Sequence, residues 1–308
     1  MRHTLDPKLD VVFKLMFADK RNQRLLISLL TAVLEPKQPI TAVDVLNPEL
    51  SKETVTAKGA ILDVMARVRD GTQANVEMQA RPHRGLPQRG LFYWAKAYTD
   101  QLGTGEDYYR LAPTHSVFIL NFIELETRRY HSVFRLLEVE EHTVLTEDLA
   151  IHMVELPKVP EGAPDAKDPL MLKWAKFFAA QTDEELEQVA MTDPDLNEAK
   201  AALERLSADP AAKQLARERE LAEWNYERTL RLSREEGREE GREEGREEGR
   251  EEGREEGVRE AVVHLCQTFG IELDESRRAI VEKSTLADLE RLLDSIALSR
   301  RWPDSSQG

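Results

Sequence analysis

The sequence predicts an α/β fold in its first half, followed by an all-helical C-terminal region. Residues 59–80 contain two runs of alternating apolar residues on either side of Asp70 and Gly71, which is the pattern of a β-hairpin. Residues 116–122 are apolar on both faces, as in a central strand covered by helices on each side. From Pro169 onward, apolar residues recur at helical spacing.

Further helices and strands are predicted around the hairpin. Asp10 and Lys14 lie off the apolar face of the first helix, which favours a surface or helix-terminal position for both. Leu91, an aromatic stripe and a stop at Gly103 define the helix after the hairpin, with the stripe directed to the core. The predicted helices are residues 9–17, 24–34 and 91–102, and the predicted additional strands are residues 40–48, 131–139 and 149–156.

The register of the hairpin follows from its apolar pattern. A two-residue loop would set the apolar row of one strand against the polar row of the other. A three-residue loop, residues 69–71 with Gly71 in the left-handed conformation, avoids this mismatch. It pairs Leu62 with Met78, Val64 with Val76 and Ala66 with Ala74, and it places Asp63 opposite Glu77.

Two facing carboxylates can form a metal site. Side chains directly opposite each other have Cβ atoms about 5 Å apart. Asp63 and Glu77 could therefore share a hard divalent cation such as Mg²⁺, which prefers oxygen ligands. Gln79 lies two residues further along the same face.

These residues resemble a known group of proteins. An Asp followed some fourteen residues later by Glu-x-Gln or Glu-x-Lys is the core of PD-(D/E)XK nucleases, and the form with glutamine resembles the Rpn family of recombination-promoting nucleases, also described as PD-(D/E)XK family transposases. Three more stretches resemble this family in the same order: Asp10-x-x-Phe13-Lys14-x-x-Phe17, the helix at 91–102, and Tyr108-x-x-Leu111-x-Pro113. The likeness covers roughly the first half of the chain and returns at the C-terminal tail.

The resemblance implies a restriction-endonuclease-like core, with a mixed sheet flanked by helices, and a DNA endonuclease activity that promotes recombination or processes mobile elements. It implies that Asp63 and Glu77 hold Mg²⁺ or another divalent cation and that Gln79 orients the attacking water or a phosphate oxygen. It also suggests a part for Asp10 and Lys14 in the active site. Glutamine supplies only a dipole where lysine would supply a positive charge, so we expect slow activity.

The partner implied is DNA. Arg81, Arg84 and Lys96 follow the hairpin and are the expected phosphate contacts. The whole chain has a net charge of −15, but residues 1–123 carry 16 Lys and Arg against 13 Asp and Glu. The half with the candidate site is therefore mildly basic, and the acidic excess belongs to the remainder.

The predicted organisation has four parts. A nuclease-like domain covers residues 1–158, and a helical region covers residues 159–232. Six copies of Arg-Glu-Glu-Gly lie within residues 233–257 and predict a solvated spacer, because interior glycines cost a helix about 1 kcal/mol each. Residues 258–308 regain apolar periodicity and predict a small helical tail that mediates homo-oligomerisation or partner binding.

The sequence has no signal-peptide core and no apolar run of the roughly 20 residues that span a membrane, so we expect a cytoplasmic protein with no membrane partner. The single cysteine, Cys266, fits a packing role in a reducing compartment. Two alternatives to the enzyme stay open. One is a catalytically silent DNA-binding or scaffold protein that retains the nuclease fold, and the other is an oligomeric adaptor built around the helical tail.

Overall fold

The computed structural model describes residues 3–47, 49, 63–82 and 85–303. The chain forms two compact units, residues 1–226 and residues 227–308. The first contains the sheet together with the helices that cover it. The second is entirely helical in its described residues.

Six strands form one sheet in the described part of the chain. They are β1 (Val43–Val45), β2 (Asp63–Val68), β3 (Gln73–Gln79), β4 (Thr114–Leu120), β5 (His131–Phe134) and β6 (Leu149–Glu155). Their order is β1-β2-β3-β4-β6-β5. The pairs β3/β4 and β4/β6 are parallel, and the other three pairs are antiparallel. The sheet is therefore mixed, as expected for the predicted α/β fold.

Nine helices accompany these strands within the described ranges. In the first unit they are α1 (Asp10–Phe17), α2 (Gln23–Leu34), α3 (Leu86–Thr99), α4 (Leu170–Ala179), α5 (Asp183–Ala190) and α6 (Pro194–Ala208). A long helix, α7 (Pro210–Thr268), begins in the first unit and ends in the second. The second unit also contains α8 (Glu275–Lys283) and α9 (Leu286–Ser299).

The hairpin has the predicted register. Asp63 lies opposite Glu77, Val64 opposite Val76, and Ala66 opposite Ala74. The predicted pair of Leu62 with Met78 falls outside the described residues, because Leu62 is not among them. The loop contains residues 69–71, and Gly71 has a φ of +96°, a value that is open to glycine and strained for other residues. The three-residue loop thus sets which side chains share a face.

A different hydrophobic cluster packs on each face of the sheet. Val64, Val76 and Val117 belong to the main hydrophobic core, which also includes buried residues of α1, α2, α4, α5 and α6. The opposite face carries a smaller apolar cluster that includes Phe118 and Met153, and Leu86 of α3 packs there. Glu77 lies on this second face because it is adjacent to Phe118 in the sheet.

Some predictions about local positions are wrong. The surface position offered for Asp10 and Lys14 is wrong, because they are 7% and 6% exposed, whereas the helix-terminal alternative holds: Asp10 begins α1 and Lys14 lies in its last turn. The helix after the hairpin begins at Leu86 and ends at Thr99, before Gly103, and its buried residues are Leu86, Gly90 and Ala97 rather than those of the predicted stripe. Leu91 is consequently half exposed, because Gly90 faces Phe118 in its place.

The Arg-Glu-Glu-Gly repeats are helical and fully solvated. All six glycines lie in α7, and a Cβ added at any of them would meet no atom within 4 Å. An ion pair four residues apart joins Arg231 to Glu235 of the first repeat, and another joins Glu255 of the last repeat to Arg259. Packing at Ala216 in the first unit and at Val262 and Cys266 in the second supports the two ends of the helix. Cys266 is fully buried.

Candidate active site

The hairpin brings Asp63 and Glu77 together as directly opposed residues of β2 and β3. Asn47 fixes the Asp63 side of the pair: its amide nitrogen donates to Asp63 Oδ1 over 3.1 Å, and its amide oxygen accepts from the Met65 backbone N–H over 2.8 Å. Asp63 is therefore held by a side chain that is itself bonded to the same strand. Burial raises the pKa of Asp63, although nearby Lys14 opposes this.

Glu77 is almost completely buried, at 1% exposed. Its Oε1 accepts a hydrogen bond from Arg89 Nη2 over 2.7 Å and another from the Gln79 side-chain amide. Burial raises the pKa of Glu77 to about 7, and the Arg89 charge lowers it only in part. Because the carboxyl titrates near neutrality, it can change protonation state without a large energetic cost.

Helix α3 positions Arg89 beside Glu77. The neighbouring residue, Gly90, lies against the sheet, and a Cβ there would be 3.0 Å from the Phe118 ring. A side chain at this position would push the start of α3 away from β4. Trp94 anchors the next turn by donating from its indole nitrogen to the Thr114 carbonyl over 2.9 Å. The close approach of α3 places the Arg89 guanidinium beside Glu77.

Helix α1 supplies a second set of buried charges. Asp10 accepts a bidentate pair of hydrogen bonds from Arg219 of α7, with the shortest contact at 2.5 Å. Asp10 also raises the pKa of Glu77, so the two carboxyls lie within electrostatic range of each other. Lys14 is attracted to Asp63, but burial lowers the pKa of Lys14 overall. The part in the site that the resemblance suggested for Asp10 and Lys14 therefore stays compatible with their positions.

Several buried polar atoms in this region have no hydrogen-bond partner among the described residues. They are Asn75 Oδ1, Glu77 Oε2, Arg89 Nε and Ser116 Oγ. Asn75 lies on the same face as Glu77, and Ser116 of β4 is the direct neighbour of Asn75 in the sheet. A buried carboxylate oxygen without a donor costs free energy unless it binds a cation or a proton.

This arrangement fits a divalent cation. Glu77 Oε2 has no partner among the described residues, and the opposed Asp63 supplies a second carboxyl group, which is the type of ligand that Mg²⁺ prefers. No group of three His, Cys, Asp or Glu residues with metal-binding geometry is present within the described ranges. A cation held by these two carboxylates would take its remaining ligands from backbone carbonyl, water or substrate oxygens.

Only some of the predicted site residues lie together in the structure. Asp63, Glu77 and Gln79 come together. Arg81 is exposed just after β3, and Arg84 lies outside the described residues. Lys96 is exposed on α3, where it pairs with Asp100 over 2.9 Å.

Sequence reasoning missed Arg89 and Asn47 as site residues. Arg89 is one of several basic residues that follow the hairpin in the sequence. Its position near the start of the helix after the Glu-x-Gln strand is the signal that could have identified it. Asn47 offers no such signal, because its role depends on how the chain after β1 hydrogen-bonds to β2. The Leu46 backbone N–H donates to the Met65 carbonyl there, and Asn47 then meets Asp63.

The relationship of the chain to known proteins agrees with this geometry. A family model described as PD-(D/E)XK nuclease family transposase matches residues 7–232. No curated protein and no solved structure matches the chain. No described helix has the length and apolar character needed to cross a membrane. The family match covers most of the chain, including the hairpin, α3 and Arg219, and the chain belongs to the PD-(D/E)XK nuclease family transposases.

Proposed function

We propose that this protein is a divalent-cation-dependent DNA endonuclease that hydrolyses phosphodiester bonds and promotes DNA recombination or mobile-element processing. Family membership supports a nuclease, and PD-(D/E)XK nucleases generally use divalent metal ions. The observation that carries the proposal is the opposition of Asp63 and Glu77, with Glu77 Oε2 buried and unpaired among the described residues.

In this proposal, Asp63 and Glu77 hold the cation, with Mg²⁺ as the first candidate. A bound Mg²⁺ polarises the scissile phosphate and lowers the pKa of a water molecule. Asn47 keeps the Asp63 carboxylate oriented through its two hydrogen bonds. Gln79 orients a water molecule or a phosphate oxygen with its side-chain amide, after the amide has left Glu77 Oε1.

Arg89 acts as the phosphate-binding cation of the site. Its Nη2 donates to Glu77 Oε1, and its Nε has no partner within the described part of the chain. A cation held by the Glu77 carboxylate would leave less negative charge to hold the Arg89 guanidinium. Arg89 can then direct its planar donors to a phosphate, for which this group is well suited.

A catalytically silent DNA-binding or scaffold protein is the second candidate. Gln79 favours it, because an amide supplies a dipole where a lysine would supply a full positive charge to the transition state. In that case the pair of Asp63 and Glu77 would survive as part of the fold. The same DNA contacts through Arg81, Arg84, Lys96 and Arg89 would apply to both candidates.

Nicking of supercoiled plasmid by the purified protein tests the proposal. We expect slow conversion to the open circle in the presence of Mg²⁺ and none with a chelator. Asp63→Ala and Glu77→Ala should abolish nicking, whereas Asp44→Ala, at an exposed position of β1, should not. DNA binding without Mg²⁺-dependent nicking at any enzyme concentration would support the silent protein instead.

We also propose that the helical tail mediates homo-oligomerisation. The second unit has its own apolar core around Val262, Leu289 and Ile296, and it exposes Leu298 and Ile280. Replacing these two exposed residues by Asp would leave that core intact. Light scattering should then show a smaller assembly than for the wild-type chain, and a monomeric wild type at tens of micromolar would contradict this proposal.

A further inference from the structure

Apart from the candidate active site, a polar pocket lies on the face of the sheet opposite to Glu77. It has a volume of about 420 Å³ and is formed by the end of α2, strand β5 and strand β6. Its polar lining residues are Glu35, Arg129, His131, Arg135 and His152. Its volume falls within the range of roughly 300–1,000 Å³ that is typical of small-molecule sites. The sheet separates this pocket from the candidate active site, because His152 is adjacent to Val117, which faces the main core.

Arg129 and Arg135, which flank β5, give the pocket its positive charge. Positions 129, 131, 133 and 135 alternate with their neighbours, so Arg129, His131 and Arg135 reach the same pocket. Arg135 pairs with Glu147 over 3.2 Å at an exposed position. Arg129 makes no ion pair with any carboxylate in the described part of the chain. Glu35 is the only acidic residue among the described residues that line the pocket.

Three histidines form a connected row behind these arginines. His131 Nε2 lies 3.2 Å from His152 Nδ1, and His152 Nε2 lies 3.3 Å from His115 Nδ1. His152 is 3% exposed and uses both ring nitrogens within the row. Each contact requires a donor and an acceptor, so a proton at one end fixes the tautomers of the others. His131 and His152 are the two histidines of this row among the residues that line the pocket.

Burial keeps the histidines neutral, and the surrounding charges modify this effect. Burial lowers the pKa of His131 and of His115, the latter to about 4, and it lowers the pKa of His152 well below its ordinary value. Arg135 adds to this effect at His115 and His152. Glu35 opposes it at His131, while Glu147 and Asp70 oppose it at His115. An added anion would act in the same direction as these carboxylates.

We propose that this pocket binds the phosphate group of a small phosphate monoester, up to the size of a mononucleotide. Two guanidinium groups line the same concave surface, and such groups bind phosphate oxygens through paired hydrogen bonds. His131 supplies a further donor. The dianion offsets the cost of charging His131, so binding is accompanied by proton uptake into the histidine row. The site is distinct from the nuclease centre and does not depend on the proposed nuclease activity.

Isothermal titration calorimetry with inorganic phosphate and with a deoxynucleoside 5′-monophosphate tests the proposal. We expect saturable binding of one equivalent to the full chain. Arg129→Gln and Arg135→Gln should each weaken it by about tenfold, since each removes a charge-assisted hydrogen bond. Arg217→Gln, an exposed arginine of α7, and Asp63→Ala should leave it unchanged. No binding at millimolar ligand, or equal binding by both arginine variants and the wild type, would overturn the proposal.

The source of the phosphate and the proton linkage can be tested in the same way. A 5′-phosphorylated DNA duplex that competes with the mononucleotide would assign the pocket to DNA ends and contradict a small ligand. Sulfate keeps its charge between about pH 5 and about pH 8, so its affinity reports the protein alone. We expect tighter sulfate binding at the lower pH, and His131→Gln should remove this dependence. A pH-independent affinity in the wild type would exclude the histidine row from the site.

Discussion

Arg89 Nη2 donates to Glu77 Oε1 over 2.7 Å, yet the pKa of Glu77 is raised to about 7. Desolvation outweighs the attraction of the guanidinium because Glu77 is fully buried. The carboxyl therefore gains a proton near neutral pH when no cation is bound. The balance between proton, arginine and metal at this one group underlies the predictions that follow.

Glu77 should make the metal-free protein less stable as pH rises. Its folded pKa of about 7 lies above the ordinary value of 4.5, so the folded state binds the proton more tightly than the unfolded state. The stability that this proton provides is present below about pH 4.5 and is lost as pH rises through 7. The slope is at most about 1.4 kcal/mol per pH unit.

The Glu77→Gln variant tests this linkage, because it removes the titration. In urea unfolding with a chelator present, the variant should gain stability relative to wild type as pH rises from about 5 to about 8. Asp44→Asn provides a baseline for charge removal at an exposed position of the same sheet. Parallel stability curves for Glu77→Gln and wild type would show that Glu77 does not titrate in this range.

Gln79→Lys should keep or raise the nicking rate. The new ammonium group would add positive charge beside the phosphate, where the glutamine amide supplies only a dipole. It would also attract the Glu77 carboxylate that the amide now contacts. Nicking rates of wild type, Gln79→Lys and Gln79→Ala measure the effect. Complete loss of activity in a folded Gln79→Lys variant would instead indicate a specific geometric role for the amide.

The ion pair between Asp10 and Arg219 should be important for the stability of the first unit. Both side chains are buried, and the pair joins α1 to the start of α7. Removing one partner of a buried pair typically costs about 3–5 kcal/mol, because the other charge loses its compensation. Arg219→Leu should therefore destabilise the protein strongly in chemical unfolding, and Arg217→Leu, at an exposed neighbouring position, should not. Combining Arg219→Leu with Asp10→Asn should recover part of the loss.

Arg81 and Lys96 should contribute to DNA binding through phosphate contacts alone. Replacing either by Gln should weaken binding to every DNA sequence and make the log–log salt dependence shallower by about one unit per contact. Gel-shift titrations over a salt series measure both quantities, with Arg217→Gln as the control. An unchanged salt slope in the Lys96 variant would mean that its pair with Asp100 persists in the complex.

The sequence predicted the centre of the fold because the hairpin pattern has one consistent register. An alternating apolar row and a glycine in the loop were enough to oppose Asp63 and Glu77, and the structure confirms that register. The mixed sheet with flanking helices is also confirmed. The metal and DNA roles of the site residues stay predictions, because only family membership bears on them.

The burial of charged residues could not be predicted from local pattern. The local pattern left a surface position open for Asp10, because its partner, Arg219, lies 209 positions later in the chain. The exposure of Leu91 depends in the same way on Gly90 and Phe118, which meet only in the folded state. The helix α7 also continues through the glycine repeats, where local helix propensity is low. Packing at its two ends is the physical reason for its continuity.

Calorimetric titration of Mg²⁺ into the full chain tests the central claim most directly, because it measures cation binding without requiring turnover. The account predicts one Mg²⁺ per chain, release of a fraction of a proton near pH 7 as Glu77 deprotonates, and tighter binding at about pH 8 than at about pH 6. Asp63→Asn and Glu77→Gln should each abolish binding, and Asp44→Asn should not. Undiminished Mg²⁺ binding in both site variants would contradict the claim that Asp63 and Glu77 hold the cation.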